Sequence, residues 1–298
     1  MFLERFIRYL QFEKRFSPHT VSAYQKDIEQ FSEYLTINEL EFTEVKHLHV
    51  RSWMVYLLEQ DRGPKTIHRK LSTLRSYYKF LLRENMVEFN PMLQVKPPKI
   101  AKRLPVIIDE TKLNALLDNN TIDNESVFPD DFSGLRDRLI IELLFGTGVR
   151  LAELISLKES DINIYEQNVR VLGKRNKERI IPVNVSLMNL VKQFIGEKKH
   201  QNFNNNSSAL IVTKEGNSAY PKFIYRIVKK YISIISTHDK RSPHVLRHTF
   251  ATSLLNHGAD INAIKELLGH ASLAATQVYT HNSVERLKSI YKQAHPKA

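Results

Sequence analysis

The stretch GTGVRLAELISL, residues 146–157, decides the fold of the larger part of this chain. Its two glycines precede a short segment with apolar residues at helical spacing, which predicts a tight turn followed by a helix. Arg150 stands at the start of this helix, and Glu153 follows one turn later. An arginine at a helix start is commonly a surface residue or an ion-pair partner, so this stretch alone does not define a function.

The residues around this stretch predict a mixed α/β region. A helix capped by Asp109 is expected through Leu117, and another from Ser133 to Phe145. Two alternating segments, Asn168–Leu172 and Arg179–Val183, predict a hairpin around the polar loop GKRNKE. Further elements are expected at three places: a helix at Asn184 to Ile195, a third strand at Ala209–Thr213, and helices to the end of the chain with breaks at Gly258 and Gly269.

The first ninety residues predict helices alone. Apolar residues recur at helical spacing, and Ser17-Pro18 supplies an N-cap followed by proline at the first helical position. The four helices are expected around Leu3 to Leu10, from Pro18 past Leu35, at His47 to Gln60 and at Pro64 to Arg83.

The fourth of these helices carries one sign of charge. From Arg62 to Arg83 there are seven basic residues and no acidic one. An apolar stripe lies on one side, and the opposite side carries Lys65, Arg69, Lys79 and Arg83 with serines among them. A solvated helix usually mixes signs, so this face indicates a surface for the DNA phosphate backbone.

A proline-rich, basic segment follows, NPMLQVKPPKIAKRLP, residues 90–105. Four prolines disfavour helix and sheet, so an extended linker is expected, either inert or running past DNA. The predicted organisation is a helical DNA-binding domain at 1–89, the linker at 90–105 and a mixed α/β domain at 106–298.

Composition narrows the class of protein. The 298 residues suit two domains, and the absence of cysteine excludes disulfides, thiolate nucleophiles and zinc–thiolate sites. The net charge of +12 favours a polyanionic partner, although a basic protein with a solvated surface is the ordinary alternative. Charged residues interrupt the N-terminal apolar stretch and no long uncharged run exists elsewhere, so a cytoplasmic protein without a membrane span is expected.

Three further stretches matter in combination with Arg150. SPHVLRHTF places His244 and Arg247 one helical turn apart, LLGHASLAATQVYTH contains His270 and Tyr279, and Lys174 lies at the tip of the predicted hairpin. Each residue taken singly has an ordinary structural explanation. Together the cations form a cluster that suits a phosphate, which guanidinium groups grip and stabilise, and Tyr279 offers a nucleophile.

A metal site is not expected. His244 and His248 have the spacing of a metal pair, but HVLRH lacks the glutamate of the protease motif, and Arg247 would repel a cation. No acidic cluster suited to magnesium stands near, so the cations would take the place of a metal, and no cofactor is predicted.

These motifs resemble the tyrosine recombinase family over essentially the whole chain. The family's ordered motifs are written here GTGVRLAEL, GKRNKERIIP, H-x-x-R, LLGHAS and VYTH. The stretches SPHTVSAYQKDIEQFSEYL and THNSVERLKSIYKQAHPKA are similar to the Xer branch, whose members resolve chromosome dimers. Arg175 occupies a hairpin position that is often glycine in relatives.

The resemblance implies a mainly α-helical fold with a small β-sheet. An N-terminal four-helix core-binding domain and an α/β catalytic domain would form a C-shaped clamp around double-stranded DNA. It implies that Tyr279 attacks the scissile phosphate to give a 3′-phosphotyrosyl bond, and that exchange passes through a Holliday junction without ATP. The implied roles are phosphate binding for Arg150, Arg247 and His270, acid–base or phosphate contact for His244, and general acid for Lys174.

The resemblance also implies a tetramer on DNA, made with itself or with a paralogue, and a DNA translocase as a possible activator. The C-terminal helix, from about Val284 to Gln293, would dock onto a neighbouring protomer, with folding back in cis as the alternative. Glu153 either orients a catalytic residue or makes an ordinary surface ion pair. Three other functions stay open: an integrase of a mobile element, a type IB topoisomerase and a non-catalytic DNA-binding module.

Overall fold

The computed structural model describes residues 2–100, 106–118, 126–173, 177–201, 203, 207–269 and 289–295. The chain divides into two compact units, Met1–Arg103 and Leu104–Ala298. Among the described residues, no helix is both long and apolar enough to cross a membrane.

Helices are the secondary-structure elements of the first unit in its described residues, with turns and irregular segments between them. Its helices are α1 (Phe2–Arg8), followed by a π-helical turn, then α2 (Pro18–Ile37), α3 (His47–Glu59) and α4 (Pro64–Arg83). The Ser17 hydroxyl accepts a hydrogen bond from the Thr20 amide, so the expected N-cap of α2 is confirmed. The apolar stripe of α4 is buried together with Trp53 of α3, which fixes the side on which α4 meets the other helices.

A buried polar cluster joins α2 to α4. Asp27 of α2 accepts hydrogen bonds from Lys70 Nζ at 2.9 Å and from the Thr73 hydroxyl at 2.9 Å, and it also pairs with Arg69. Asp27 and Lys70 are almost wholly inaccessible to solvent. Because a buried charge is tolerated only when it is paired and hydrogen-bonded, the cluster fixes the register of the two helices.

The first part of the predicted linker is folded rather than extended. Pro91–Gln94 form a short 3₁₀ helix whose cap is the Asn90 side chain, which accepts from the Met92 amide at 2.9 Å. Met92 and Val95 are buried in the core of the first unit. The expectation of an extended chain from residue 90 is therefore wrong here, because two apolar side chains among the prolines bury against α3 and α4.

The second unit consists of helices and a small sheet that pack around one apolar core. Its helices are α5 (Glu110–Leu117), α6 (Phe132–Thr147), α7 (Leu151–Ser156), α8 (Val185–His200), α9 (Pro221–Ile235), α10 (Pro243–Asn256) and α11 (Ile261–Leu268). The Asp109 side chain caps α5 as expected, by accepting from the Lys112 amide at 3.0 Å. Helix α6 is buried on nearly every side, which makes it the centre of the unit.

The sheet of the described residues has three antiparallel strands in the order β1 (Ile162–Asn163), β2 (Asn168–Leu172) and β3 (Glu178–Pro182). The predicted hairpin is confirmed, and its register places Val171 opposite Arg179. The third strand expected at Ala209–Thr213 is wrong, since this segment makes only isolated bridges, from Ala209 to Lys158 and from Val212 to Ser218. Its apolar residues are buried, which explains the misleading pattern.

Residues 289–295 pack against their own unit. Residues 289–294 are helical, and Tyr291, Ala294 and His295 are buried in the core. The Tyr291 hydroxyl donates to the Gly146 carbonyl at 2.8 Å. These described residues bury side chains in their own unit, as the alternative of folding back in cis expects, and docking onto a neighbouring protomer stays a prediction.

The polar cluster around Asp27 yields a stability prediction. Asp27→Ala is expected to lower the free energy of unfolding of the first unit by about 3–5 kcal/mol, because Lys70 is left buried without a counter-charge. Trp53 is the only tryptophan of the chain and is buried in this unit, so its fluorescence during urea unfolding of the full chain measures the effect. Glu33→Ala, at an exposed position of α2, is the control and should change stability by less than about 0.5 kcal/mol. Equal unfolding midpoints for the two variants would contradict the role of the cluster.

Candidate active site

The glycine turn places Arg150 at the start of α7. Gly148 ends α6 with a φ of +59°, and a Cβ on this residue would lie 2.4 Å from Cδ1 of Phe250. Only glycine accepts both the left-handed backbone and this close approach. The turn leaves Arg150 as the N-cap residue of α7 with about a third of its side chain exposed, so its guanidinium group can reach a ligand.

Glu153 is the centre of an arginine network. Its carboxylate accepts from the Arg150 amide at 2.7 Å and from Arg150 Nη1 at 2.8 Å. It also accepts hydrogen bonds from Arg179 Nη1 at 2.9 Å and from Arg179 Nη2 at 2.8 Å. Only 4% of Glu153 is exposed, so the reading of this residue as a surface ion pair is wrong.

The charge state of Glu153 follows from these contacts. Burial alone would raise the pKa of its carboxyl group. The hydrogen bonds and positive charge of Arg179, together with the contacts of Arg150, outweigh burial and lower the pKa to about 2. Glu153 is therefore a carboxylate at neutral pH and orients the guanidinium groups of both arginines.

Arg247 reaches the same place from helix α10. Its Nη1 donates to the carbonyl of Gly148 in the glycine turn, and its Nη2 donates to the carbonyl of Leu268 at 2.6 Å. Burial first, and then the positive charge of Arg150, lower the pKa of Arg247 to about 10. Arg247 stays a cation at neutral pH, and Arg150 is close enough to act on its charge.

Three arginines converge on the last carbonyls of α11. Arg179 Nε donates to Leu267 at 2.8 Å, Arg247 to Leu268, and Arg150 Nη2 to Gly269 at 3.1 Å. These carbonyls lack partners within the helix, and the helix C-terminus favours cations. The end of α11, directly before His270, is thereby held against both α7 and α10.

The network contains the three guanidinium groups of Arg150, Arg179 and Arg247 and one carboxylate, that of Glu153, so it has a surplus of two positive charges. A guanidinium group has five N–H donors, and within the described part of the chain the hydrogen bonds of Arg150 and Arg247 leave some of these donors unused. Such a site suits an anion with several oxygen atoms, as a phosphate has, because it would offset the repulsion among the arginines.

His244 lies at the start of α10, one turn before Arg247, and is exposed. It borders an open hollow in the surface of the second unit. The residues that line this hollow are Val106, Asp239, Lys240, Arg241, Ser242, His244, Val245 and His248. Within the described part of the chain, no group of three or more His, Asp or Glu residues has a geometry that could hold a metal ion.

The structure thus brings together some of the residues predicted from the sequence. Arg150 and Arg247 share one network, and His244 is on the same helix as Arg247. Lys174, His270 and Tyr279 lie outside the described residues, so their roles stay predictions. The described chain ends at Gly173 and Gly269 directly before two of them.

The predicted DNA-backbone residues of α4 divide into two pairs. Lys65 and Lys79 are exposed, in keeping with a contact surface. Arg69 pairs with buried Asp27, and Arg83 donates to Glu13 at 3.1 Å and to Glu84 at 2.9 Å. Part of the positive charge of this helix is therefore neutralised within the first unit.

Arg179 is not among the site residues predicted from the sequence. This residue alternates with Ile181 on β3, and both are buried, so the arginine sits on the apolar face of the hairpin. An arginine at an inward-facing strand position requires a buried acid, and that pattern could have drawn attention to Arg179. Its partner, Glu153, lies 26 residues earlier and could not be assigned by spacing alone.

Comparison with known proteins shows the family to which the chain belongs. The phage integrase family model matches residues 107–286, and the phage integrase N-terminal SAM-like domain matches residues 3–85. The chain belongs to the phage integrase family, and as an enzyme it is a site-specific tyrosine recombinase. The class of protein inferred from the ordered motifs is confirmed, and so is a mainly α-helical fold with a small β-sheet.

Several similar curated proteins are named tyrosine recombinase XerC. The tyrosine recombinase XerC of Listeria innocua is 38% identical, over 99% of this chain and 97% of its own length. The XerC proteins of Chlorobaculum parvum and Staphylococcus saprophyticus are 34% and 35% identical, over 99% of this chain and 94% and 97% of theirs.

Solved structures share the fold. The XerH recombinase bound to its difH substrate gives a TM-score of 0.68 at 20% identity, covering 98% of this chain and 81% of XerH. A lambda integrase dimer bound to a core site gives a TM-score of 0.68 at 16% identity, covering 93% of this chain and 97% of the integrase.

The low pKa of Glu153 leads to a prediction about pH. Folding lowers this pKa, so the ionised carboxylate stabilises the folded protein at any pH above the pKa that Glu153 has in the unfolded chain. This stabilisation is lost as the pH falls through the lower pKa of the folded protein. Glu153→Gln is expected to lower the free energy of unfolding at pH 7 by about 2–3 kcal/mol. This deficit should hold down to about pH 5 and shrink at lower pH, as followed by denaturant unfolding with circular dichroism.

Glu197→Gln, at an exposed position of α8, is the matched control and should leave stability within about 0.5 kcal/mol of wild type at each pH. A deficit of Glu153→Gln that does not change between pH 7 and pH 4 would show that packing, and not charge, accounts for it.

Proposed function

We propose that this chain resolves chromosome dimers by recombination at a dif-like site in double-stranded DNA. The observation that carries the proposal is the similarity to proteins named XerC over nearly the whole chain, at 34–38% identity. The arginine network supports it, because a surplus of positive charge beside the helix start at Arg150 suits a scissile phosphate.

The proposed first step is attack of the Tyr279 hydroxyl oxygen on phosphorus. A bond from phosphorus to the tyrosine oxygen forms, and the bond from phosphorus to the 5′ oxygen breaks. The phenol proton passes to a base, for which His244 is the candidate, and Lys174 gives a proton to the leaving 5′ oxygen. The 3′-phosphotyrosyl bond keeps the energy of the phosphodiester, so rejoining needs no ATP.

In the second step a 5′-hydroxyl from the partner duplex attacks the phosphotyrosyl bond and releases Tyr279. The same two steps on the other pair of strands resolve the Holliday junction. Arg150, Arg247 and His270 hold the phosphate and stabilise the charge on its oxygens in both steps. Arg150 and Arg247 are suited to this because their guanidinium groups are already oriented by Glu153 and by backbone carbonyls.

The assembly follows from this reaction. Two duplexes and four strand cleavages call for four protomers, either of this chain alone or with a paralogous recombinase. In the tetramer the C-terminal helix would contact a neighbour. The reaction belongs in the cytoplasm, where the chromosome lies, and a DNA translocase is a suitable activator because it would bring two distant sites together.

The nucleophile is tested with a nicked duplex that carries a dif-like site, from which the cleaved fragment diffuses away. Wild-type protein is expected to form a covalent protein–DNA adduct, and Tyr279→Phe to form none, because a phenyl ring has no oxygen to attack phosphorus. The adduct is measured by its shift in a denaturing gel. Tyr165→Phe, which removes the hydroxyl of an almost fully exposed tyrosine of the same unit, should form the adduct as wild type does.

An adduct that persists in Tyr279→Phe would refute this residue as the nucleophile. Exchange between two labelled duplexes separates recombination from topoisomerase chemistry, since a topoisomerase reseals its own strand. A wild-type protein that binds the duplex but forms no adduct would support a binding module instead.

The exposed lysines of α4 give a second test. Lys79→Met is expected to weaken DNA binding and to reduce the slope of log K against log salt by about 1, because one phosphate contact and its released counterions are lost. Lys65→Met should act in the same way. Lys26→Met, at an exposed position of α2, is the control, measured by fluorescence anisotropy between low and moderate salt. Equal slopes for Lys79→Met, Lys65→Met and Lys26→Met would argue against a DNA surface on α4.

A further inference from the structure

Arg179 has no place in the reaction scheme above, yet it is the most constrained cation of the second unit's described network. It is the second residue of β3, and 4% of it is exposed, so it cannot reach a bound duplex without rearrangement. Burying a guanidinium group is costly unless its donors are all directed at acceptors. The role of Arg179 is therefore inferred from the acceptors that its guanidinium group contacts.

Arg179 makes three directed hydrogen bonds to two elements. Its terminal nitrogens form a bidentate pair with Glu153 of α7, and its Nε donates to the Leu267 carbonyl of α11. The planar guanidinium group fixes the distance and the angle between these acceptors. A lysine at this position would supply a single charged nitrogen and could not reproduce all three bonds.

Both acceptors that hold Arg150 are themselves held by Arg179. Arg150 Nη1 donates to Glu153, which Arg179 clamps. Arg150 Nη2 donates to the carbonyl of Gly269, and the Arg179 side chain packs against this glycine so closely that an added Cβ would lie 3.2 Å from its Cδ. Arg150 has two fixed points, and Arg179 sets the position of each.

From this arrangement we infer that Arg179 is a positioning residue, which aims the Arg150 guanidinium group at the scissile phosphate from a distance and contacts no DNA. It also fixes the end of α11, from which the chain continues to His270. The inference rests on the proposed role of Arg150 in holding the phosphate. A role in folding alone would give the same contacts, so the test must separate positioning from stability.

The test uses two nicked duplexes with a dif-like site, one with an ordinary scissile phosphate and one with a neutral methylphosphonate in its place. Single-turnover cleavage is measured with the full-length protein at saturating concentration, and duplex binding is measured separately. A methylphosphonate carries one negative charge less than a phosphate, so its cleavage depends less on a correctly aimed guanidinium group. Arg150→Ala sets the benchmark for loss of that group.

Arg179→Met is expected to cleave the ordinary duplex about 100-fold more slowly than wild type, with binding changed by less than about threefold. On the methylphosphonate duplex the defect should fall below about tenfold, following Arg150→Ala. Arg179→Lys should show the same pattern more weakly. The double variant Arg150→Ala/Arg179→Met should be no slower than Arg150→Ala, because two residues that act as one unit are not additive.

Arg170→Met, at an exposed arginine of β2, is the matched control and should cleave both duplexes as wild type does. Defects of Arg179 variants that are equal on the two duplexes, or that add to the Arg150→Ala defect, would overturn the inference. If Arg179→Met does not fold, Arg179→Lys and its double variant decide the same question. If Arg150→Ala loses cleavage while Arg179→Lys cleaves normally, the positioning role of Arg179 is refuted and the proposed function is not. If the wild-type protein forms no adduct, the proposed function itself is refuted.

Discussion

A buried carboxylate is the constraint on which the candidate site depends. Glu153 is almost wholly removed from solvent and ionised, and a charge in that position must be matched by cations with good geometry. Arg150 and Arg179 supply the match from two sides. Because Glu153 can satisfy both arginines in one arrangement, the start of α7 and the strand β3 are fixed relative to each other.

The end of α11 extends this constraint to the remaining elements. The carbonyls of Leu267, Leu268 and Gly269 have no partner within the helix. Each accepts a hydrogen bond from one arginine, which comes from β3, α10 and the start of α7 in turn. The positive charges of the arginines repel one another, and the Glu153 carboxylate and the negative C-terminal end of α11 offset this repulsion. The outcome is a preorganised cationic cluster, which is what stabilisation of a phosphoryl transition state requires.

The sequence allowed good prediction where local chemistry decides structure. Ser17-Pro18 and Pro64 marked helix starts, and alternation marked the hairpin, because caps and periodicity act over a few residues. Prediction failed where tertiary contacts decide. The two-residue strand at Ile162–Asn163 is too short for a pattern, and the apolar run at Ala209–Thr213 is buried without joining the sheet. Ordered motifs pointed to Arg150 and Arg247, but Arg179 became visible only through its distant partner Glu153.

The most direct test of this account is a structure of the Tyr279→Phe variant bound to an uncleaved dif-like duplex. We expect Arg150 and Arg247 both to donate to oxygens of one scissile phosphate. Arg179 should keep its bonds to Glu153 and to the Leu267 carbonyl, and should contact no DNA. A complex in which Arg150 and Arg247 contact different phosphates, or in which Arg179 leaves Glu153 to bind the duplex, would contradict it.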